Sequence, residues 1–159
     1  MTNTPIKLNS TENTYLQFQI NQQTTAVLSV THTQEALIVP IGSVTPMPNM
    51  PAYVLGLMNW RSRIIWVINL PKLFNLEGLE YHHRQLNIIV IKIESNLLGL
   101  VVQEIKGTTK IMTEHIHSPI GQVAASLVPY LSGCVEQKEE TLLVLDANNI
   151  VSYSQSLHD

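Results

Sequence analysis

Between Pro51 and Phe74 the chain alternates between apolar and polar stretches: Tyr53 to Trp60, then Arg61-Ser62-Arg63, then Ile64 to Ile68. The second apolar run is too short for an ordinary helix and rich in β-branched and aromatic residues. That predicts a strand buried on both faces. The cationic break predicts a tight turn between two strands. Asn69 before Leu70-Pro71 predicts a short helix, since a first turn tolerates proline. The unit is strand, tight turn, strand, short helix.

The unit returns near the C-terminus. Tyr130-Leu131-Ser132-Gly133 answers Tyr53-Val54-Leu55-Gly56, and without a gap Thr141 to Asp146 falls on Ile64 to Asn69. Ile150-Val151 then falls on Leu73-Phe74. Two copies on one chain predict a pseudo-twofold molecule.

The remaining pattern is made of short strands. Tyr15 to Ile20 alternates, and Asn21-Gln22-Gln23 turns it into Thr24 to Val30, a first hairpin. Thr31 to Leu37 is ambiguous and reads as a short helical turn, after which Ile38 to Val44 returns to strand. The prolines from Pro46 to Pro51 enforce an extended loop. Asn75 to Arg84 is a polar linker. Leu86 to Ile93 and Leu97 to Val102 form a second hairpin, and Glu104 to Met112 a strand broken at Gly107. Glu114 to Tyr130 is loop with a helical piece around Gln122 to Leu127. Leu131 to Glu136 and Thr141 to Leu145 close the strand set, and Asp146 caps a terminal helix to about Ser154.

Many short strands with turn signals between them predict an all-β barrel or sandwich, and the repeat sharpens that to two small barrels. The expected organisation is a disordered tail over 1–13, one domain over 14–154 and a tail over 155–159. Within the domain two subdomains rest on repeats of about 15–74 and 86–151.

Composition narrows the function. The chain has 159 residues, 45% hydrophobic and only 13% charged. So few charges suit an apolar surface meant for partners. A net charge of −3, with nine scattered Lys and Arg, argues against nucleic acid. No apolar h-region stands near Thr2 to Glu12, and no run approaches the roughly 18 residues of a membrane span. Direct membrane insertion is not expected. One cysteine, Cys134, excludes an internal disulfide framework, fits a reducing cytoplasm and reads as a small core residue.

Chemistry-bearing patterns are sparse. Asp146 and Asp159 are the only aspartates, so a carboxylate dyad would need scattered glutamates. There is no Gly-rich phosphate cradle and no Gly-x-Ser-x-Gly elbow. His82-His83, His115-x-His117 and His32 lack a cysteine or aspartate to complete a metal shell, and read as solvated loop residues. No catalytic, metal or cofactor site is expected.

The residues now support a resemblance to the CheW family of chemotaxis coupling proteins, from Tyr15 to Ser154. The family's Asn-Leu-Arg-Gly falls on Asn59-Trp60-Arg61-Ser62, and its Pro-Val-x-Asp-Leu-Arg on Trp66 to Pro71. Pro48 to Pro51 with Tyr53 to Gly56 also matches. The family's apolar-x-Glu-apolar element falls on Thr33 to Ala36, and its second-half counterpart on Val102 to Ile105. Ser62, Trp66, Asn69 and Pro71 depart from the motif. Trp60 and Trp66 resemble a divergent branch found in pilus-motility (twitching) and phototaxis systems.

The resemblance implies two intertwined five-stranded SH3-like barrels sharing a core, related by a pseudo-twofold, with mainly β structure and short helices. It implies a non-catalytic adaptor in the cytoplasm, at receptor arrays. Its partners would be the regulatory domain of a CheA-like histidine kinase and the cytoplasmic tip of a chemoreceptor. Assembly into rings or arrays would also be open. Receptor binding is attributed to the groove between the barrels, where a helical hairpin meets apolar surface with a polar rim. The partner-binding candidates are Glu35, Asn59, Trp60, Arg61, Val102 and Glu104. Competing readings are a barrel module for peptides, proteins or nucleic acid outside chemosensory signalling, and a metal-dependent enzyme.

Overall fold

Alternation along the central strands assigns each residue to one of two cores. The structure, a computed structural model, describes residues 13–154. Its ten strands are β1 (Thr14–Gln19), β2 (Thr25–Ser29), β3 (Thr33–Pro40), β4 (Val54–Trp60) and β5 (Arg63–Asn69), then β6 (Gln85–Ile93), β7 (Asn96–Val102), β8 (Glu104–Lys110), β9 (Leu131–Gln137) and β10 (Glu140–Leu145). Helix α1 (Leu70–Leu73) follows β5 and α2 (Ala147–Tyr153) follows β10. On β6, Ile88 and Val90 point into one barrel, while Ile89 and Ile91 point into a core shared with the other. On β10, Leu142 and Val144 fill the opposite barrel while Leu143 and Leu145 meet the shared core. Near-continuous apolar strands follow, because both faces are covered.

Two five-stranded sheets result, ordered β8-β1-β2-β10-β9 and β3-β6-β7-β5-β4. Neither sheet belongs to one half of the chain. The first two strands of each half pair with the last three of the other, so the barrels are intertwined. The registers correspond strand for strand. Val54 faces Ile68 and, after a bulge, Gly56 faces Val67; Leu131 faces Leu145 and, after a bulge, Gly133 faces Val144. The parallel contacts correspond as well, β5 with β7 and β2 with β10.

The Tyr-x-x-Gly repeat has a steric cause. The segment after β3 crosses onto β4 through paired Thr45–Leu57 bonds of 2.8 and 2.9 Å. The segment after β8 crosses onto β9 through His117–Cys134 bonds of 2.9 Å each way. A Cβ on Gly56 would stand 2.0 Å from the Thr45 carbonyl oxygen, and one on Gly133 would stand 2.6 Å from that of His117. These crossings close both barrels, and only glycine fits beneath them. The motif's tyrosines serve the helices: the Tyr53 carbonyl accepts Asn69 N–H at 2.7 Å, and that of Tyr130 accepts Asp146 N–H at 2.8 Å. Asn69 Oδ1 then accepts Lys72 N–H and Asp146 Oδ1 accepts Asn149 N–H, capping α1 and α2.

The linker is strapped to the body. Buried Asn21 donates to Glu77 O at 3.0 Å, and buried Gln103 exchanges two hydrogen bonds with the Glu80 backbone. Cys134 is 1% exposed, and burial, with Glu136 adding to it, pushes its thiol pKa up.

Several sequence expectations shift. The turn at Thr31 to Leu37 shrinks to a 3-10 turn over Val30–His32, because β3 already starts at Thr33 and ends at Pro40. The helical piece expected around Gln122 to Leu127 is a 3-10 helix over Ala125–Tyr130, three residues further along. Strand β5 is not buried throughout. Along the face that carries Ile68, exposure rises through Trp66 to Ile64, which is 64% exposed because the strand runs past the shared core. Of the tails expected over 1–13 and 155–159, all but Asn13 lies outside the described residues, and the Asn13 carbonyl accepts Ile111 N–H at 2.9 Å.

Candidate partner-binding surface

The turn between β4 and β5 carries the densest polar arrangement among the predicted site residues. Arg61 has φ 50° and Ser62 φ 65°, the left-handed pair of a two-residue hairpin turn. That geometry directs Arg61 outward beyond the end of its barrel. Trp60, the last residue of β4, turns inward and is 6% exposed, packed in the barrel core with Met58 and Ile65. Its indole N–H donates to Glu35 Oε1 at 2.8 Å. Glu35 stands on β3, so this bond ties the two border strands of the sheet across the barrel's open end.

Arg61 completes the cluster. Its guanidinium lies 3.4 Å from the same Glu35 oxygen, and its Cζ sits 4.8 Å from the Trp60 ring centroid. Side-chain exposures of 62% for Arg61 and 39% for Glu35 leave the group open to solvent. One carboxylate oxygen thus serves both an indole donor and a cation, and the cation rests on the indole face. Chemically the group can present a fixed guanidinium to an anionic partner.

The other candidates stand elsewhere. Asn59 is exposed on β4, opposite Ile64 of β5, so it points away from Trp60 and joins an exposed apolar position. Val102 is 2% exposed within the shared core and offers no surface to a partner here. Glu104 is exposed on β8 in the other sheet, 3.4 Å from Lys106 Nζ. It is not the counterpart of Glu35. The bulge in β3 falls between Thr33 and Glu35, and the bulge in β8 between Ile105 and Gly107, so Gly107 occupies the matching place. Spacing along the chain hid a difference of three positions that only register reveals.

Sequence reasoning missed a second feature. Phe74 packs on Tyr130 with centroids 4.7 Å apart, and Tyr130 on Tyr153 at 4.9 Å. Tyr53 and Tyr130 both pack against the shared core, and Tyr153 is 52% exposed. Burial raises the Tyr130 hydroxyl pKa, with Tyr153 and then Tyr53 adding to it. The repeated Tyr-x-x-Gly was the available signal, since it places Tyr53 and Tyr130 in equivalent positions. Between the barrels the described residues form packed core with an aromatic, partly exposed margin.

Comparison with known proteins bears on the whole of this frame. The sequence model described as CheW-like domain matches residues 14–155. The chemotaxis protein CheW of Treponema pallidum is 34% identical over 118 residues, which are 72% of this chain and 69% of that protein. That of Thermotoga maritima is 25% identical over 137 residues, 86% of this chain and 85% of that protein. A solved structure of the scaffolding protein TtCheW from Thermoanaerobacter tengcongensis superposes with a TM-score of 0.73 at 21% identity. The superposition covers 84% of this chain and 88% of that one, and the likeness is one of fold.

Proposed function

This chain belongs to the CheW-like family, and from that premise we propose that it is a non-catalytic adaptor coupling a chemoreceptor-type sensory protein to a CheA-like histidine kinase. The observation that carries this reading is the extent of the match: it spans both barrels and the crossings that close them. The shared frame is therefore the two-barrel body, not one barrel that any binding module could own. The names of its relatives, chemotaxis protein and scaffolding protein, support the same role.

Within that role the partner surface is the end of the β3–β4 barrel. Arg61, Glu35 and Trp60 form its polar part, and Asn59 with exposed Ile64 adjoins it on the outer face of the sheet. Glu104, on the other sheet, marks a second contact. The receptor tip, a helical hairpin, seats along the aromatic margin between the barrels. No helix among the described residues is long and apolar enough to cross a membrane, and the protein works in the cytoplasm, held at arrays by its partners. Trp60 and Trp66, where the family motif differs, carry the reading to a pilus-motility or phototaxis system.

The test is co-sedimentation of the full chain with membranes bearing a receptor of its own cells, with and without the kinase regulatory domain. Recovery of the kinase domain with the membranes only when this chain is present supports coupling. Binding to neither partner assigns the barrels to ligands outside chemosensory signalling.

A further inference from the structure

We infer that Trp60 is a positioning residue: through its bond to Glu35 it fixes the direction in which Arg61 meets an anionic partner group. The inference rests on the proposed partner surface and goes beyond it, because Trp60 is buried and acts on that surface through its neighbours. Three contacts carry it. The indole ring is anchored in the barrel core at 6% exposure, so it cannot swing. Its N–H holds Glu35 Oε1 at 2.8 Å, which stops that carboxylate from following solvent. Arg61 is then held twice, by the same oxygen at 3.4 Å and by the ring face at 4.8 Å.

An arginine at 62% side-chain exposure would otherwise sample many rotamers, and ordering it would oppose binding. The cluster does that ordering in the free protein. Glu35 occupies one edge of the guanidinium, and the fork has five N–H donors, so the remaining edge suits a partner carboxylate. Leucine, which the family motif carries at this position, has neither the donor nor the ring face. The device therefore belongs to this chain's departure from the motif.

The experiment is a double-mutant cycle read by binding. Affinity for the kinase regulatory domain and for the receptor tip is measured for the parent, Trp60→Phe, Arg61→Ala and the double variant. Phenylalanine keeps a ring in the core but removes the N–H. Trp60→Phe should weaken binding to one partner about tenfold, as expected for losing one hydrogen bond to a charged group. In the Arg61→Ala background the same change should cost almost nothing, since its effect passes through Arg61. A spectroscopic readout stands beside this: the Trp60 indole N–H resonance should move in Glu35→Ala.

Two outcomes overturn the inference while leaving the proposed surface standing. In one, Trp60→Phe binds like the parent while Arg61→Ala is weakened. In the other, the tenfold loss persists undiminished in the Arg61→Ala background, which marks Trp60 as structural only. If Arg61→Ala itself binds both partners normally, the proposed surface fails first and the inference with it.

Discussion

The hairpin β4–β5 and the hairpin β9–β10 are the same structure with different tips. Both start beneath a closing crossing, share a bulge after the first residue and end in a two-residue turn. At the first tip stand Trp60 and Arg61, with Glu35 reaching across from β3. At the second, Gln137 and Lys138 take those places, and Gly107 of β8 stands where Glu35 does. The cluster therefore exists once in a molecule whose frame exists twice. What the halves share is what closure demands, and what they do not share is free to serve a partner.

The largest effect should come from what is shared. Gly56→Ala drives a Cβ to 2.0 Å from a backbone oxygen and also strains a φ of 147°. Gly133→Ala meets a backbone oxygen at 2.6 Å, without the left-handed φ. Overpacking costs about 1–3 kcal/mol, and a strained backbone adds a similar amount. Thermal melting should fall by roughly 5 °C for Gly133→Ala and 10 °C or more for Gly56→Ala. Equal, small shifts would mean that the crossings yield easily and that closure does not explain the repeated glycine.

The next effect should separate the tips. Arg61→Glu should weaken binding to at least one partner by about two orders of magnitude, through like-charge juxtaposition. Lys138→Glu should leave binding within about twofold. Arg61→Glu also places a carboxylate beside Glu35, yet in so exposed a setting the stability cost should stay below about 1 kcal/mol. Loss of binding at both tips would break the comparison, and a collapse in melting for Arg61→Glu would make Arg61 part of the frame.

These tests follow the line between what the sequence carried and what it did not. The strands of both hairpins, the short helix after Asn69, the cap Asp146 and the repeated unit were legible because each rests on local chemistry and spacing. The cluster of Trp60, Arg61 and Glu35 was only partly legible. Its members are adjacent or far apart in sequence, and what joins them is barrel closure, which puts β3 beside the end of β4. Glu104 was matched to Glu35 by pattern along the chain, whereas a bulge in each edge strand makes Gly107 the counterpart. Val102 looked like its motif neighbours, but β7 is a central strand and both its faces are covered. Register and closure are non-local, and a linear pattern does not contain them.

A smaller effect should again be common to both halves. Asn69→Ala and Asp146→Ala each remove a side-chain oxygen that accepts a hydrogen bond at a helix start, from Lys72 N–H at 3.2 Å and from Asn149 N–H at 3.0 Å. Each should lower stability by about 1 kcal/mol by denaturant unfolding. Neither should change partner affinity. A binding defect in Asn69→Ala alone would extend the surface of the first tip to α1.

The smallest effect concerns the turns themselves, where the halves part company in backbone. Ser62 has φ 65°, whereas at the second tip Lys138 has φ 49° and Glu139, the residue matching Ser62, is not left-handed. A left-handed residue with a Cβ carries a penalty of about 1 kcal/mol that glycine does not. Ser62→Gly removes that strain but widens the unfolded ensemble, so the net gain should lie between zero and about 1 kcal/mol. Glu139→Gly removes no such strain and adds the same entropy, so it should cost about 0.5–1 kcal/mol. Paired denaturant melts of the two variants give the sign directly. If Ser62→Gly destabilises as much as Glu139→Gly does, the left-handed turn is not strained by serine. The motif's glycine would then need another explanation, such as close approach of a partner to the turn.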